Sequence, residues 1–423
     1  MRIIKVSNVE TFAEKIIPKQ PQNNKTIVES ILKNVRKNGD VAVRKYEKKF
    51  SKANISSLRI SENEIKNAYS KVSKAELDAI KLAKDRLGKT ESVVKSLLKN
   101  KTINHDGIKI SKNFIPIQSV GCYIPGGLAR YPSSVMMSVV PAKIAGVKRI
   151  VVVSPPNSDG KIDPLTIVAA DICGANEIYK TGGAQSIGAL SYGTKSIPKV
   201  DKIVGPGGAF VTSAKSLVSI QTGIDMLAGP TELGIIADNS ANAKFVALDL
   251  ISQSEHSNDT FCYLITTSEK LAASVKKIVS ELLPTIQRRK IAKYSLENNG
   301  FIGICKTNSD MIKLANILAP EHLQIITKNS ESISSKITSS GLILIGNNTP
   351  SAASDYILGS NHILPTNGFG KIRGSLSILD FIKVNTQITS SKKSLSKISK
   401  YIKILTEAEG LSNHYEAVRG RLN

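Results

Sequence analysis

Tryptophan is absent from the 423 residues, and aromatic side chains make up only 5% of them. That leaves little material for the stacking platforms with which single-stranded nucleic acids are held. Cysteine is scarce as well: Cys122, Cys173, Cys262 and Cys305 stand far apart, with no C-x-x-C pair. This spacing excludes a disulfide framework and a thiolate zinc finger, and it predicts structural thiols kept reduced, with a nucleophilic cysteine as the alternative. No run approaches the roughly 20 consecutive apolar residues of a membrane-crossing helix. The opening MRIIKVSNVETF has no long apolar stretch and no small-residue cleavage site, so no export signal is expected and the chain is read as cytoplasmic.

Acidic residues are the other shortage. Asp and Glu number 34 against 58 Lys and Arg, a formal net charge of +24. A surplus of that size raises nucleic-acid binding as a function. The lysines are scattered, however, and no arginine-rich arm or aromatic RNA-binding motif goes with them. A solvated basic surface is the preferred reading.

What is present is organised in blocks. The length predicts two or three domains. Residues 26–100 read as helices, with Thr26/Glu29, Ser61/Glu64 and Ser73/Glu76 as capping boxes and Gly39 and Gly88 as stops. From about residue 120, apolar runs such as RIVVVS, EIYK, KVDKIVG and LGIIAD alternate with helical segments, one of them opened by Asp163-Pro164. A second alternating stretch follows, with FVALDLISQ as helix and FCYLITT, FIGIC, LQIIT and GLILIG as strands. Strand–helix alternation predicts parallel α/β sheets with helices on their faces. The last 50 or so residues read as a lysine-rich, largely helical appendage.

Histidine carries the sharpest chemical information because there are only five. Four stand beside acids or amides: QSEH (253–256), PEH (320–322), DYILGSNH (355–362) and EGLSNH (409–414). Any one alone would read as a hydrogen-bonded structural residue; four together point to a metal or acid–base site. Gln253 and His256 share a face of a predicted helix, and imidazole is a good zinc ligand. Glu321 and His322 would point to opposite faces of a regular strand, so the chain must bend if both serve one site. Converging, they would offer a carboxylate and an imidazole for proton transfer near neutral pH.

Four glycine-rich segments complete the pattern: YIPGG (123–127), TGGAQ (181–185), GPGGA (205–209) and AGPTE (228–232). Three follow predicted strands, where a parallel sheet receives its ligand. None is a strict G-x-G-x-x-G. Singly each is a tight turn; grouped around one α/β unit they suggest a nucleotide pocket.

Taken in order, YIPGGLARYPSSVMM, TGGAQSIGALSYGT, VDKIVGPGGAFVTSAK, DMLAGPTEL, DLISQSEH, APEHLQ, SDYILGSNHILPT and AEGLSNH closely resemble the blocks of histidinol dehydrogenase. The resemblance implies two Rossmann-like α/β domains with parallel-type sheets, a helical N-terminal region and a small C-terminal tail domain. Its expected division is 1–23 as a segment packing with the tail, 24–122 with 232–370 as a large discontinuous domain, 123–231 as an inserted NAD-binding domain, and 371–423 as a tail reaching the partner of a homodimer. It implies one zinc ion per subunit, held by Gln253, His256, Asp355 and His414, the last from the partner. Thr231, Glu321, His322, His362 and the partner's Glu409 would meet L-histidinol, whose imidazole and amine the zinc would hold. Tyr123 and Gln185 would contact NAD. His322 is the implied base and Glu321 the activator of water.

The sequence departs from that family's pattern in three places. Gly208 replaces an asparagine associated with NAD contact, Leu227 a proline, and Ser354 a glycine. Losing one neutral hydrogen bond at Gly208 would weaken NAD binding by about 1 kcal/mol. Two alternatives stand beside this reading: a zinc- and NAD-dependent dehydrogenase for another small alcohol, and a basic α/β protein that binds nucleic acid.

Overall fold

In the computed structural model the described residues are 1–17, 24–126 and 130–422; Gly127, in the YIPGG segment, lies outside them. Two parallel sheets form the body. One has five strands in the order Glu177–Lys180, Arg149–Ser154, Ser119–Tyr123, Lys202–Val204, Gly223–Ile224. The other has six, in the order Arg2–Lys5, Phe301–Ile304, Phe261–Thr266, Glu232–Ala237, His322–Ile326, Leu342–Ile345. Most of these strands are continuous apolar runs because helices cover both faces of each sheet. No described helix is long and apolar enough to cross a membrane.

Apolar packing divides the chain differently from the expectation. Helix Lys25–Phe50 turns Val28, Ile31, Leu32 and Val35 onto Ile187 and Leu190 on one side of the five-stranded sheet. Helix Lys74–Leu97 packs Ile80, Ala83 and Leu87 against Val139 and Val140 on the other. Residues 25–97 therefore cover the smaller sheet, and helix Lys74–Leu97 also shares its cluster with Ile363 and reaches the Ile357 carbonyl through Arg86. The N-terminal strand Arg2–Lys5 pairs in parallel with Phe301–Ile304, as an edge of the large sheet, and not with the tail.

Ser61 and Ser73 cap their helices with complete capping boxes, and Asp163 caps Pro164–Cys173. Thr26 does not cap: helix Lys25–Phe50 starts one residue earlier, after Asn24. Gly39, with φ 49° and ψ −129°, breaks that segment into two helices across a kink, where a stop was expected. Gly88 lies within helix Lys74–Leu97, where a Cβ would stand 3.6 Å from Ile144 Cδ1, so it marks a close helix–helix approach.

Within the appendage read as largely helical, residues 382–390 form a strand. Ile382–Ser390 pairs antiparallel with Ile108–Pro116, which pairs with Lys101–His105. Two helices, Lys392–Ala408 and Ser412–Arg419, follow.

All four cysteines are free and buried. Burial holds every thiol far above its ordinary value, Cys173 and Cys305 to about 12, which removes the nucleophilic thiolate.

The loop Gly205–Gly208 is fixed from below by a buried ion pair. Lys215 Nζ contacts Asp225 Oδ1 and donates to the Gly205 carbonyl at 2.9 Å, while Asp225 Oδ2 accepts the Gly205 N–H at 2.8 Å. Gly205 has φ 111° and lies against the Tyr123 carbonyl, so no side chain fits there. Replacing Lys215 by Met strands the Asp225 carboxylate and should cost about 3–5 kcal/mol, read from urea unfolding. A loss below about 1 kcal/mol would mean that Asp225 finds another cation.

Candidate active site

The polar residues gather where two sheet edges are linked. Tyr123, Thr181–Gly183 and Gly205–Gly208 follow strands of the five-stranded sheet and mark its C-terminal edge. The chain leaves that sheet at Ile224 and enters the larger one at Glu232, so Thr231, Glu232, Glu321 and His322 mark the N-terminal edge of the six-stranded sheet. The loop carrying His362 ties the two together. His362 Nε2 lies 3.2 Å from Ser134 Oγ, at the start of helix Pro132–Ala145, and Asn361 Nδ2 donates to the Met137 carbonyl at 2.7 Å.

The bend required between Glu321 and His322 is present. Helix Asn308–Leu318 ends at Ala319 with φ 46°, Pro320 follows, and the strand begins only at His322. Glu321 Oε2 accepts the Glu232 N–H at 2.9 Å, and Glu232 Oε2 accepts the Glu321 N–H at 3.1 Å. The second Glu232 oxygen accepts the Asn367 N–H at 2.9 Å. This leaves Glu321 Oε2 only 3.7 Å from His322 Nδ1, while His322 Nε2 faces Asp355 Oδ1 at 3.2 Å.

Burial dominates the electrostatics. It pushes Glu321 up to about 8 and Glu232 up to about 7, although the N–H bonds and the His322 charge pull the other way. Burial disfavours charge on His322 too, but Glu321 and Asp355 more than compensate and lift it to about 9. Asp355 falls below its ordinary value: burial opposes its charge, and the His322 hydrogen bond with the nearby histidines overcomes it. His256 and His362 are lowered by burial, which outweighs attraction to Asp355. These neighbours thus favour the charged form of His322 and Asp355 and the neutral form of His256 and His362.

Gln253, 1% exposed, lies at the end of helix Ala243–Ser254, and its Oε1 accepts from Ser351 Oγ at 3.4 Å. Its Nε2 has no partner. His256 follows just beyond, its surface exposed to solvent yet close enough to Asp355 for each to feel the other's charge. Glu409 and His414 are not brought to this cluster: both are exposed on the tail helices. Among the described residues, no group of three or more His, Cys, Asp or Glu is placed to hold a metal ion.

At the other edge, Tyr123 accepts the Gly183 N–H on its hydroxyl at 3.4 Å. Gln185 Nε2 donates to Glu47 Oε1 at 2.8 Å, leaving Gln185 Oε1 buried and unpartnered. Glu47 Oε1 also accepts from Thr181 Oγ1 and the Gly182 N–H, both at 2.9 Å. Gly208 caps helix Ala209–Val218, and a Cβ there would meet nothing within 4 Å, so an asparagine would fit.

Sequence reading missed Glu232, Glu47 and Ser134. Glu232 ends the AGPTE segment and precedes a wholly apolar strand, a setting in which an acid is buried; the other two carry no local mark.

Because Glu321 is raised, its proton is retained in the fold and lost more readily on unfolding. Its stabilising contribution is therefore complete below about pH 4.5 and disappears as pH rises through about 8. Glu321→Gln should flatten the decline in unfolding free energy across that window. An unchanged slope would show that Glu321 is ionised in the fold.

The whole-chain comparisons agree with one another. The family model described as histidinol dehydrogenase matches residues 17–422. The histidinol dehydrogenase of Methanocaldococcus jannaschii is 42% identical over 97% of this chain and 96% of its own length. That of Methanococcus maripaludis is 44% identical over 94% and 93%. The crystal structure of histidinol dehydrogenase from Elizabethkingia anophelis superposes with a TM-score of 0.94 at 35% identity, covering 100% of this chain and 98% of that one. With its candidate site and nearly all of its folded core inside the matched span, the chain belongs to the histidinol dehydrogenase family, oxidoreductases of histidine biosynthesis.

Proposed function

We propose that this chain oxidises L-histidinol through L-histidinaldehyde to L-histidine with two NAD, the last step of histidine biosynthesis, as a cytoplasmic homodimer. The observation that carries the reading is the buried constellation of Glu321, His322 and Asp355 beside Gln253 and His256.

The donors fit a zinc ion. Burial favours neutral His256, its neighbours favour ionised Asp355, and the Gln253 amide oxygen accepts one long bond, from Ser351 Oγ at 3.4 Å, leaving a lone pair for a cation. One chain supplies three ligands of the expected four, and His414 of a second copy would complete the set. Exposed apolar residues on the tail, among them Val384, Ile388, Ile404 and Leu405, support a covering partner. When bound, zinc holds and polarises its ligands as a Lewis acid and orients substrate. Gln185 Oε1, Tyr123 and the open space at Gly208 fit NAD at the facing edge.

The chain's own residues divide the proton work. His322 accepts the alcohol proton as hydride leaves the carbinol carbon for NAD. The Asp355 carboxylate at 3.2 Å favours the charged form of His322, so a cation sharing that carboxylate would favour the neutral ring this role needs. Water then adds to the aldehyde carbonyl, and Glu321 takes its proton. A carboxyl whose proton affinity lies near neutral pH is suited to that exchange. The hydrated aldehyde yields its hydride to a second NAD and leaves as the acid. Thr231 and His362 line the pocket, with the partner's Glu409 as a substrate contact.

Purified protein given L-histidinol and NAD should form two NADH per histidine, with the activity lost to a zinc chelator and restored by zinc. One NADH per turnover, with aldehyde released, would sink the two-step reading. Mixing His322→Ala and His414→Ala subunits, each inactive alone, should restore activity through heterodimers. No rescue after verified subunit exchange would mean that each site is complete within one chain.

A further inference from the structure

Helix Ala243–Ser254 turns Asp249 and Gln253, one turn apart, onto the face of the sheet that also carries Gln324 and His322. The helix follows strand Glu232–Ala237 and precedes its parallel neighbour, so it runs back toward the strands' N-terminal edge. Four helical residues and two strand residues each advance about 6 Å. Asp249 therefore lies level with Gln324, and Gln253 level with His322. The first match is made: Gln324 Nε2 donates to Asp249 Oδ2 at 2.9 Å. At each level one buried atom lacks a partner, Gln324 Oε1 at the first and Gln253 Nε2 at the second. One is a donor and the other an acceptor, and both residues are 1% exposed. Leaving both unsatisfied is costly, and a polar gap of this kind is where a buried water resides.

The geometry points to Asp249 and Gln324 as positioning residues for Gln253, linked to it by one buried water that accepts from Gln253 Nε2 and donates to Gln324 Oε1. Asp249 decides which end of the Gln324 amide is oxygen. Gln324 in turn draws the nitrogen of Gln253 inward, leaving its oxygen to face Ser351 Oγ and the ligand side. A side chain with two similar ends is thereby given one orientation before any ion arrives. This rests on the zinc reading above, and it concerns ligand preparation, not proton transfer.

The test is zinc affinity of the full-length dimer, stripped of metal and reloaded in competition with a chromophoric chelator. Gln324→Met should weaken zinc about 10- to 100-fold, the usual effect of losing a partner behind a ligand. The double variant Asp249→Leu/Gln324→Met should show the same loss, and Asp249→Asn, which still accepts from Gln324, should keep wild-type affinity. Metal-free unfolding midpoints of the variants separate this effect from general destabilisation. Wild-type affinity in Gln324→Met would overturn the proposal. So would recovery in the double variant, because the loss would then come from a stranded Asp249. If Gln324→Met does not fold, a crystal structure of the wild-type protein with ordered water decides: no water between Gln253 and Gln324 rejects the link. A wild-type dimer that takes up no zinc overturns the zinc reading and this proposal together.

Discussion

Glu232 and Glu321 each accept the other's backbone N–H, and the site is shaped by what this cross-tie does to the end of a sheet. The ladder between their strands begins at Leu233 and His322. Immediately before it, side-chain oxygens replace carbonyls as acceptors, at 2.9 and 3.1 Å. The sheet is thus closed off without unsatisfied amides in a buried place. To reach its partner, the Glu321 carboxyl must fold back along the edge, which carries it to 3.7 Å from His322. The same bonds confine both carboxyls in a low-dielectric environment, and burial raises their proton affinity toward neutrality. Sheet termination and acid–base tuning are one arrangement here.

The two sheets meet by opposite edges, and helix ends make those edges chemically different. At the C-terminal edge of the five-stranded sheet the helices begin: Gly182 and Gly208 stand at the N-caps of Gly183–Tyr192 and Ala209–Val218. Free N–H groups and the positive end of the helix dipole suit the phosphates of a dinucleotide. At the N-terminal edge of the six-stranded sheet helices end, and Gln253 and His256 lie at the C-terminal end of Ala243–Ser254. That end carries partial negative charge and suits a cation. Parallel sheets usually receive ligands at the C-terminal edge. Turning one sheet end for end relative to the other sets a rim of helix N-termini against a rim of helix C-termini, the polarity that the proposed reaction would use.

What was legible in the sequence was local or strongly apolar. Ser61, Ser73 and Asp163 could be read as caps because the residues they bond lie within one turn. RIVVVS and FCYLIT could be read as strands because burial on both faces leaves little polar in them. The antiparallel sheet was not legible. Its strand Ile382–Ser390 is mostly exposed, has six polar residues in nine, and pairs with residues some 270 positions earlier, Ile382 with Pro116. Gly88 reads as a stop because helix Pro132–Ala145, which it admits, is remote in sequence. At the site, the histidines and Gln253 stood out by scarcity and spacing. Glu47 did not, since among the charges of EKKF nothing distinguishes an acid that ends fully buried under Thr181 and Gln185.

Glu47 and Asp249 show one device used twice. Each acid projects from a helix into a buried space and accepts from the Nε2 of a glutamine, Glu47 from Gln185 and Asp249 from Gln324, at 2.8 and 2.9 Å. In both, the amide nitrogen is held and its oxygen is left buried without a partner. An unsatisfied oxygen persists in a packed interior only when something else completes it or the fold overcomes its cost. A carboxamide offers an acceptor that does not change charge with pH, and an acid behind it removes the ambiguity of which end faces outward. Near Glu321 and His322, whose proton affinities shift with neighbouring charge, Gln324 places a neutral amide between the site and Asp249, an acid that burial raises to about 6.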